Sequence, residues 1–497
     1  MDLPDIEALG STISSLQTVK TVGRVTGVTG NTVLVSGLRN KARLGDRVKL
    51  ASAETEDVFG EIIRLSTDVA TVLAESDLTG VSINDRVLLL PPQDLYPCDA
   101  WLGRLVDPFG QPMDGRGLRQ GLARRSLFAA PPPVGRRRSL GKRLETGTCI
   151  FDTMLPIVRG QRLGLFAGSG VGKSTLLGEL GKKIEADVVI LALIGERGRE
   201  VRDFVEQVLG EEGMKRAVIV AATSEQSPLV RRRCAWAAMS VAEYFRDAGQ
   251  HVLLLADSIT RFAEAHREIS VAAGELPVLR GFPGTTSQTI TALAERAGPG
   301  ADVQGDITAL FSVLVAGSDM DEPVADILRG VLDGHVTLDR EIAERGRFPA
   351  IDILRSVSRS LPRAATDQEN VMIRQARALL GRYAHSETMI QAGLYTQGSD
   401  PDLDKAIAGW PELDAFVSEM STSSIDSSFS RLSLILRRAG IDQGNTVRNA
   451  DRRNSSPIVT KPSDRSPEGK ELHDPVDTNL SITEDRILSG TDTRLDS

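Results

Sequence analysis

The sequence has few cysteines, few aromatic residues and no excess of positive charge. Its three cysteines, Cys98, Cys149 and Cys234, lie far apart and form no CxxC pair, so neither a zinc site nor a disulfide framework is encoded. Aromatic residues make up 4% of the chain and the formal net charge is -8. Because nucleic-acid surfaces stack bases on aromatic rings and neutralise phosphates with basic side chains, we expect no nucleic-acid partner.

The sequence also lacks a long apolar segment. The first 17 residues contain acidic side chains and no apolar core of signal-peptide length, and no later stretch approaches about 20 uncharged apolar residues. We therefore expect a cytoplasmic protein that associates with a membrane only through partners. Two arginine triplets, 136–138 and 231–233, form basic clusters, which we interpret as solvated turns or local salt bridges.

A chain of 497 residues is long enough for two to four domains. Between Val19 and Leu90, short alternating segments broken by turn residues predict a small β-barrel, which we assign to residues 21–95. Residues 1–20 precede it, and four of them form one apolar helix face. These four are Ile6, Leu9, Ile13 and Leu16. The predicted barrel strands are Thr21–Val28, Thr32–Val35, Asp46–Leu50, Gly60–Leu65, Val69–Leu73 and Arg86–Leu90.

From about Thr146 the pattern changes to continuous apolar runs of strand length separated by helical stretches. Continuous runs are typical of strands buried on both faces of a mostly parallel sheet, so we predict an α/β domain over residues 96–362. The runs are Leu163–Ala167, Val188–Ile194, Ala217–Ala222, Val252–Ala256 and Ile307–Ala316.

After Pro362 the pattern becomes helical. Apolar residues at helical spacing over Gln368–Tyr383, continued over Leu403–Trp410, predict a helical domain at residues 363–438. Over residues 439–497 hydrophobic residues thin out, and such a composition cannot bury enough surface to offset chain entropy. We therefore expect these last residues to be a disordered tail.

A glycine-rich segment follows the first apolar run of the α/β domain. Glycines let backbone N–H groups turn inward, and the N-terminus of the following helix adds a favourable dipole, so the segment predicts a phosphate-binding loop for ATP. Lys173 would contact the β- and γ-phosphates, and Ser174 would ligate Mg²⁺. Ala167 replaces the first glycine of the strict motif, at little cost if φ is negative there. The loop comprises Ala167, Gly168, Ser169, Gly170, Val171, Gly172, Lys173, Ser174 and Thr175.

Two further apolar runs lead into carboxylates. Asp257 ends one run and would hold the Mg²⁺ shell through water, as in a Walker-B strand. Glu196 follows another, at the sheet edge where ligands collect, and could orient the water that attacks the γ-phosphate, while Arg197 could neutralise that phosphate. Alone, each segment could be a turn or a surface ion-pair cluster. Beside a phosphate loop, both indicate an ATPase site.

These motifs, with the segments Arg280–Gln288, Gly317–Asp326 and Leu328–Arg359, make residues 20–435 resemble the catalytic subunits of rotary ATPases. Within that group the chain is most similar to the ATPases of type III protein export, with the flagellar branch favoured. The resemblance implies an α/β fold class with an N-terminal β-barrel, a central RecA-like P-loop domain with a mostly parallel sheet, and a C-terminal helical domain. It also implies Mg-dependent ATP hydrolysis by a hexameric ring.

The resemblance assigns roles to individual residues. It makes Glu196 the catalytic carboxylate and places Arg261 in the polar network of the site. Arg359 matches the finger arginine that stabilises charge on the nucleotide of the neighbouring subunit. Phe348 matches the aromatic residue that packs on adenine, although a core phenylalanine is the alternative.

The resemblance further implies partners. A regulatory protein would bind residues 1–20, a stalk protein or passing substrate would contact the loop Arg261–Gln288, and export substrates with their chaperones would bind the helical domain. The export gate would hold the ring at the inner face of the plasma membrane.

Several alternatives stay open. These are an ATPase of injectisome export, ATP synthesis proper, an inactive ring subunit and an RNA-translocating hexameric helicase. An inactive subunit would carry an amide at position 196. A helicase would need a basic, aromatic barrel, whereas Val19–Leu90 contains one aromatic residue, Phe59.

Overall fold

The structure is a computed structural model and describes residues 19–51, 57–315, 320–420 and 424–441. The predicted apolar helix face of residues 1–18 lies outside these ranges. So does the predicted tail, apart from its first three residues, 439–441. Among those three, Ala439 is buried and Ile441 packs against the core, so the packed chain extends slightly beyond the predicted end of the helical domain.

The N-terminal strands form a closed six-stranded barrel, which confirms the prediction from alternating segments. Its order is β1-β2-β5-β4-β3-β6, and every neighbouring pair is antiparallel. Closure leaves no free sheet edge, and buried side chains, mostly valines with leucines and Ile62, form a separate core. The strands are β1 Val22–Thr29, β2 Thr32–Ser36, β3 Arg47–Ala51, β4 Val58–Leu65, β5 Val69–Ala74 and β6 Arg86–Leu89.

A nine-stranded sheet forms the centre of the molecule. Its order is β17-β16-β8-β15-β11-β9-β10-β7, with β14 paired to β15 beside this path, and the strands from β16 to β7 run parallel. The strands are β7 Arg104–Val106, β8 Arg162–Ala167, β9 Val188–Glu196, β10 Ala217–Thr223, β11 Val252–Asp257, β14 Gly298–Pro299, β15 Asp306–Leu314, β16 Gly334–Leu338 and β17 Ile351–Ser358. The hairpin β12 Pro277–Leu279 and β13 Phe282–Pro283 stands apart from the sheet.

Helices cover both faces of this sheet. In β9, alternate residues contribute to two different cores, as expected for a strand buried on both faces. One face packs against α2 and the C-terminal helices, and the other packs against α5 to α8. The helices are α1 Cys149–Asp152, α2 Lys173–Lys183, α3 Gly198–Asp203 with a π-helical turn Phe204–Leu209, α4 Gly210–Met214, α5 Pro228–Asp247, α6 Ile259–Ala272, α7 Thr285–Ala294, α8 Pro323–Val331 and α9 Arg340–Glu344.

Three helices complete the described chain: α10 Asp367–Gln391, α11 Pro401–Ser418 and α12 Ile425–Arg438. Thr366 and Glu369 form a capping box that starts α10, and both helices predicted from spacing are present but longer than predicted. Their buried faces share one core with α2 and the sheet. In the described ranges, no helix has the length and apolarity needed to cross a membrane.

Candidate active site

Parallel pairing brings the ends of three strands to one edge of the sheet. β8 ends at Ala167, β11 at Asp257 and β9 at Glu196. Asp257 pairs with Leu193 in the register of β11 and β9, so the two carboxylates follow neighbouring strands. In open α/β sheets, ligands bind outside these carboxyl ends.

The phosphate-binding loop connects β8 to α2, and the alanine in place of the first motif glycine does not disturb the backbone there. Ala167 is the last residue of β8, where an extended backbone suits alanine as well as glycine. Gly170 and Gly172 have φ of 77° and 84°, a conformation that favours glycine. Gly172 is the N-cap of α2 and offers no side-chain acceptor to the first-turn N–H groups. Those donors at a helix N-terminus suit a phosphate group.

The lysine of the loop and the carboxylate of β11 meet directly. Lys173 Nζ forms an ion pair with Asp257 Oδ1, and both side chains are at least nine-tenths buried. Ser312 Oγ donates to the same Oδ1 at 2.6 Å from β15, the strand between β8 and β11. The sequence interpretation missed Ser312. The available signal was a hydroxyl near the end of a nearly continuous apolar strand, which also contains Thr308 near its start.

Glu196 lies half-buried at the end of β9, beside this pair. Burial raises the pKa of Glu196 to about 7, with further contributions from the Asp257 charge and from a hydrogen bond that Glu196 donates to Glu200. Lys173 acts in the opposite direction. The same hydrogen bond lowers the pKa of Glu200. A carboxyl that titrates near neutral pH in a ligand cleft suits proton transfer.

Arg197 and Arg261, the two arginines that the sequence analysis assigned to this site, lie close to Glu196. Arg197 pairs with Glu200 at 2.9 Å and is largely exposed. Arg261 pairs with Glu264 at 2.9 Å, and a Cβ placed on Gly195 would lie 3.3 Å from Arg261 Cβ. Arg261 therefore lies against the backbone that leads into Glu196.

Phe348 lies beside the phosphate-binding loop. A Cβ placed on Gly172 would lie 3.3 Å from Phe348 Cδ1. The side chain is 52% exposed, so the alternative of a core phenylalanine is wrong. An exposed ring next to the loop is free to stack on a base.

Arg359 lies away from the loop of its own chain. β17 is antiparallel to β16, and Ile351 pairs with Leu338, which itself pairs with Ala167 at the loop end. Because β17 bulges between Asp352 and Val357, Ser358 pairs with Gly334, only four residues before Leu338 on β16. The Arg359 N–H donates to the Asp333 carbonyl one residue further on, so Arg359 lies about 16 Å along the strands from the loop edge, at ~3.3 Å per strand residue. Its Nη2 donates to the Arg329 carbonyl at 3.0 Å.

The residues at the loop suit Mg²⁺ that is bound together with a nucleotide better than a metal ion that is held by protein ligands alone. Within the described ranges, no group of three or more His, Cys, Asp or Glu residues is placed to hold a metal ion. Mg²⁺ commonly binds through one or two protein oxygens together with substrate phosphates. Ser174, exposed in the first turn of α2, and Asp257 fit that requirement.

The positive φ at Gly172 leads to a testable prediction. We expect Gly172→Ala to weaken ATP binding about tenfold, because a Cβ in the left-handed region costs about 1–2 kcal/mol and would also crowd Phe348. Isothermal titration with ATP measures the change. The matched control is Gly168→Ala, since Gly168 is not in the left-handed region and its Cβ would lie an ordinary 3.7 Å from Val315 O. Equal affinities for the two variants would contradict the prediction.

Comparisons with known proteins agree with this architecture. The family model described as "ATP synthase alpha/beta family, nucleotide-binding domain" matches residues 147–358, and "T3SS EscN ATPase C-terminal domain" matches residues 365–433. The flagellum-specific ATP synthase of Caulobacter vibrioides is 41% identical over 87% of this chain and 99% of its own length. That of Salmonella typhimurium is 40% identical over 81% of this chain and 91% of its own length.

Solved structures show the same fold. The assembled ATPase EscN of the enteropathogenic E. coli type III secretion system superposes with a TM-score of 0.78 at 36% identity, covering 83% of this chain and all of the chain in that structure. EscN in complex with its central stalk EscO gives a TM-score of 0.75 over the same shares.

The fold and the phosphate-binding site define an ATPase with a barrel, a P-loop domain and a helical C-terminus. The chain belongs to the ATP synthase α/β family and, within it, to the flagellum-specific ATPases of type III protein export.

Proposed function

We propose that the chain hydrolyses Mg-ATP at the edge formed by β8, β9 and β11 to energise export of flagellar proteins. The observation that carries the proposal is the convergence of Lys173, Asp257 and Glu196 at that edge. A phosphate-binding cation, an Mg²⁺-binding carboxylate and a carboxyl that titrates near neutral pH are the groups that phosphoryl transfer to water requires. Release of inorganic phosphate from Mg-ATP by the purified chain tests the activity.

Each residue has a distinct role in this proposal. Lys173 and the loop N–H groups bind the β- and γ-phosphates, and Glu196 orients and deprotonates the attacking water. Arg197 neutralises the γ-phosphate once nucleotide competes with Glu200 for it, and Arg261 holds the backbone before Glu196. Mg²⁺, held through Ser174 and Asp257, would neutralise charge on the phosphate oxygens. Phe348 packs on adenine.

The active unit is a homohexamer in this proposal. Arg359 lies too far from the loop of its own chain to contact the same nucleotide, so its role as a finger requires a neighbouring subunit. The assembled state of EscN supports an oligomeric active unit.

The proposed partners are a stalk protein, a regulatory protein, and export substrates with their chaperones. Leu276, just before the hairpin β12–β13, and Val278 on β12 are apolar side chains that are 78% and 73% exposed, which suits contact with a stalk or a passing polypeptide. The complex of EscN with its central stalk supports the first of these. We place the ring in the cytoplasm, held at the inner membrane face through the export gate, without nucleic acid as a partner.

Injectisome export is the second candidate, because EscN shares the fold at 36% identity. Deletion of the gene separates the two pathways. We expect loss of flagellar filaments with any injectisome secretion unchanged, and the opposite phenotype would assign the chain to the injectisome.

The raised pKa of Glu196 predicts how activity depends on pH. Because the base acts only when deprotonated, kcat/KM should rise through about pH 7 and fall about tenfold per unit well below it. Phosphate release measured from pH 5.5 to 8.5 gives the profile, with ATP binding measured at each pH to remove its contribution. Glu200→Gln removes the negative charge of the acceptor, which raises this pKa both directly and through the hydrogen bond, so its profile should shift to lower pH. A flat profile down to pH 5.5 would remove Glu196 as the titrating base.

A further inference from the structure

The arginine triplet Arg231–Arg233 lies in the first turns of α5, between the proposed catalytic carboxylate and the barrel. Of the two interpretations of this cluster, the solvated turn is wrong, since the Arg231 and Arg232 side chains are only 14% and 19% exposed, whereas salt bridges are present, to Glu268 and Glu61. Their ion-pair partners lie 37 and 171 residues away in sequence. Successive helix residues point about 100° apart, so three neighbouring arginines can contact three different parts of the molecule.

Arg231 contacts the backbone that leads into Glu196. A Cβ placed on Gly195, whose φ is 70°, would lie 3.4 Å from Arg231 Cδ. Arg231 Nε donates to the Gln226 carbonyl at 3.1 Å. The Gln226 side chain in turn accepts from the N–H of Thr223 at 2.9 Å, and Thr223 pairs with Glu196 between β10 and β9. Arg231 therefore supports the end of β9 from two directions.

The guanidinium of Arg231 also connects the elements on the two sides of β9. Its Nη2 lies 3.1 and 3.2 Å from the two carboxylate oxygens of Glu268 on α6, the helix that follows Asp257. In the sheet order β9 lies between β11 and β10. A side chain that connects the segment after β10 with the helix after β11 therefore fixes the strand between them.

Arg232 connects the same helix to the barrel. Its Nη2 lies 2.6 Å from Glu61 Oε1 on β4. Burial raises the pKa of Glu61, while the charges of Arg232 and Arg233 act against that rise. Breaking a buried pair of this kind leaves an uncompensated group, which is costly.

Arg233 makes a second connection to the barrel through an aromatic ring. It donates to the carbonyls of Gln93 and Pro108 at 2.6 and 3.0 Å, and its guanidinium lies 4.5 Å from the Phe109 ring centre. Arg47 of β3 lies 4.0 Å from the same ring. Burial lowers the pKa of Arg233 to about 10, so Arg233 stays charged at neutral pH.

We propose that Arg231 is the positioning residue for Glu196, and that Arg232 and Arg233 tie this position to the barrel. The placement of the barrel then sets the geometry of the catalytic strand end. This inference rests on the proposed role of Glu196 as the base.

The test compares Arg231→Ala and Arg231→Lys with a matched control from the other arginine triplet. Arg137 is also largely buried and donates to the carbonyls of Glu295 and Ala297, but it lies near the start of β15, at the opposite sheet edge from the loop. The first measurements confirm that the wild type hydrolyses ATP and that Glu196→Gln does not. If either result fails, the proposed function is wrong; only if both hold do the Arg231 variants test this inference.

We expect Arg231→Ala to lower kcat about 10- to 100-fold with KM for ATP changed less than about threefold, as a small misplacement of a catalytic group does. Arg231→Lys, which keeps the charge opposite Glu268, should recover part of the loss. In Arg231→Ala, the acid limb of kcat/KM should move to lower pH, because a displaced Glu196 is better hydrated. Arg137→Ala should leave all three quantities within about twofold of wild type.

Equal losses in Arg231→Ala and Arg137→Ala, or an unchanged acid limb in Arg231→Ala, would overturn the inference. If Arg231→Ala does not fold, as judged by circular dichroism and thermal melting, Arg231→Lys decides: wild-type kcat and acid limb in the lysine variant contradict positioning by the guanidinium contacts with Gln226 and Glu268. For the connection to the barrel, Arg232→Ala and Glu61→Gln should each lower kcat several-fold, and the double variant should lower it no further. Additive losses would remove the barrel from the inference.

Discussion

Replacing Glu196 with glutamine is expected to lower steady-state ATP hydrolysis by about 10²- to 10⁴-fold while leaving ATP binding measurable. The amide keeps the shape of the side chain but cannot accept the proton of the attacking water. It also removes a carboxyl whose pKa is raised to about 7, so the deprotonated form present above that pH is lost. Phosphate release and fluorescent-nucleotide binding, measured on the same preparation, separate chemistry from affinity.

The control for this prediction is Glu206→Gln. Glu206 is a surface residue that pairs with Arg202 at 2.8 Å on the next helical segment, away from Lys173 and Asp257. Its loss should leave turnover unchanged, because exposed ion pairs contribute little. Retained hydrolysis in Glu196→Gln would remove Glu196 from the mechanism.

Much of the fold follows from local sequence patterns. The six barrel strands and the five central strands β8, β9, β10, β11 and β15 were each predicted, because both alternating and continuous apolar runs report burial directly. The edge strands β7 and β17 were not, and neither were β16 and the two-residue β14. β7 has only three residues, and β17 mixes apolar residues with Asp352 and Arg355 because part of it is exposed.

The centre of the site was accessible to prediction because its chemistry is carried by local motifs. Glycines before Lys173 and carboxylates after apolar strands are visible in sequence, and parallel pairing then brings them to one edge. The contacts of Ser312 and Arg231 were missed, since they join residues that are distant along the chain, and a hydroxyl or an arginine in the sequence does not reveal which residue it contacts. For the same reason, the sequence did not reveal that a salt bridge of the arginine triplet reaches the barrel, where Glu61 lies 171 residues from Arg232.

Replacing Arg359 with alanine is expected to lower kcat by about 10³-fold or more, the range found for finger arginines, with little change in ATP affinity. The register of β17 places Arg359 at the sheet edge opposite the loop, so the side chain cannot contact the nucleotide bound by its own Lys173. Any stabilisation of charge on the γ-phosphate by Arg359 must therefore occur on a neighbouring subunit. Turnover is measured at protein concentrations where the ring is assembled, as judged by light scattering.

Mixing two inactive variants tests this assignment directly. A subunit carrying Arg359→Ala keeps its own loop, and one carrying Lys173→Ala keeps its finger. At an interface where the loop of an Arg359→Ala subunit meets Arg359 of a Lys173→Ala subunit, the site is complete. Mixed rings should therefore regain part of the activity, although each variant alone is nearly inactive. Arg363→Ala serves as a surface control that should need no rescue. Absence of recovery in rings shown to contain both variants would mean that Arg359 does not act in trans, because every other component of the site is present in that mixture.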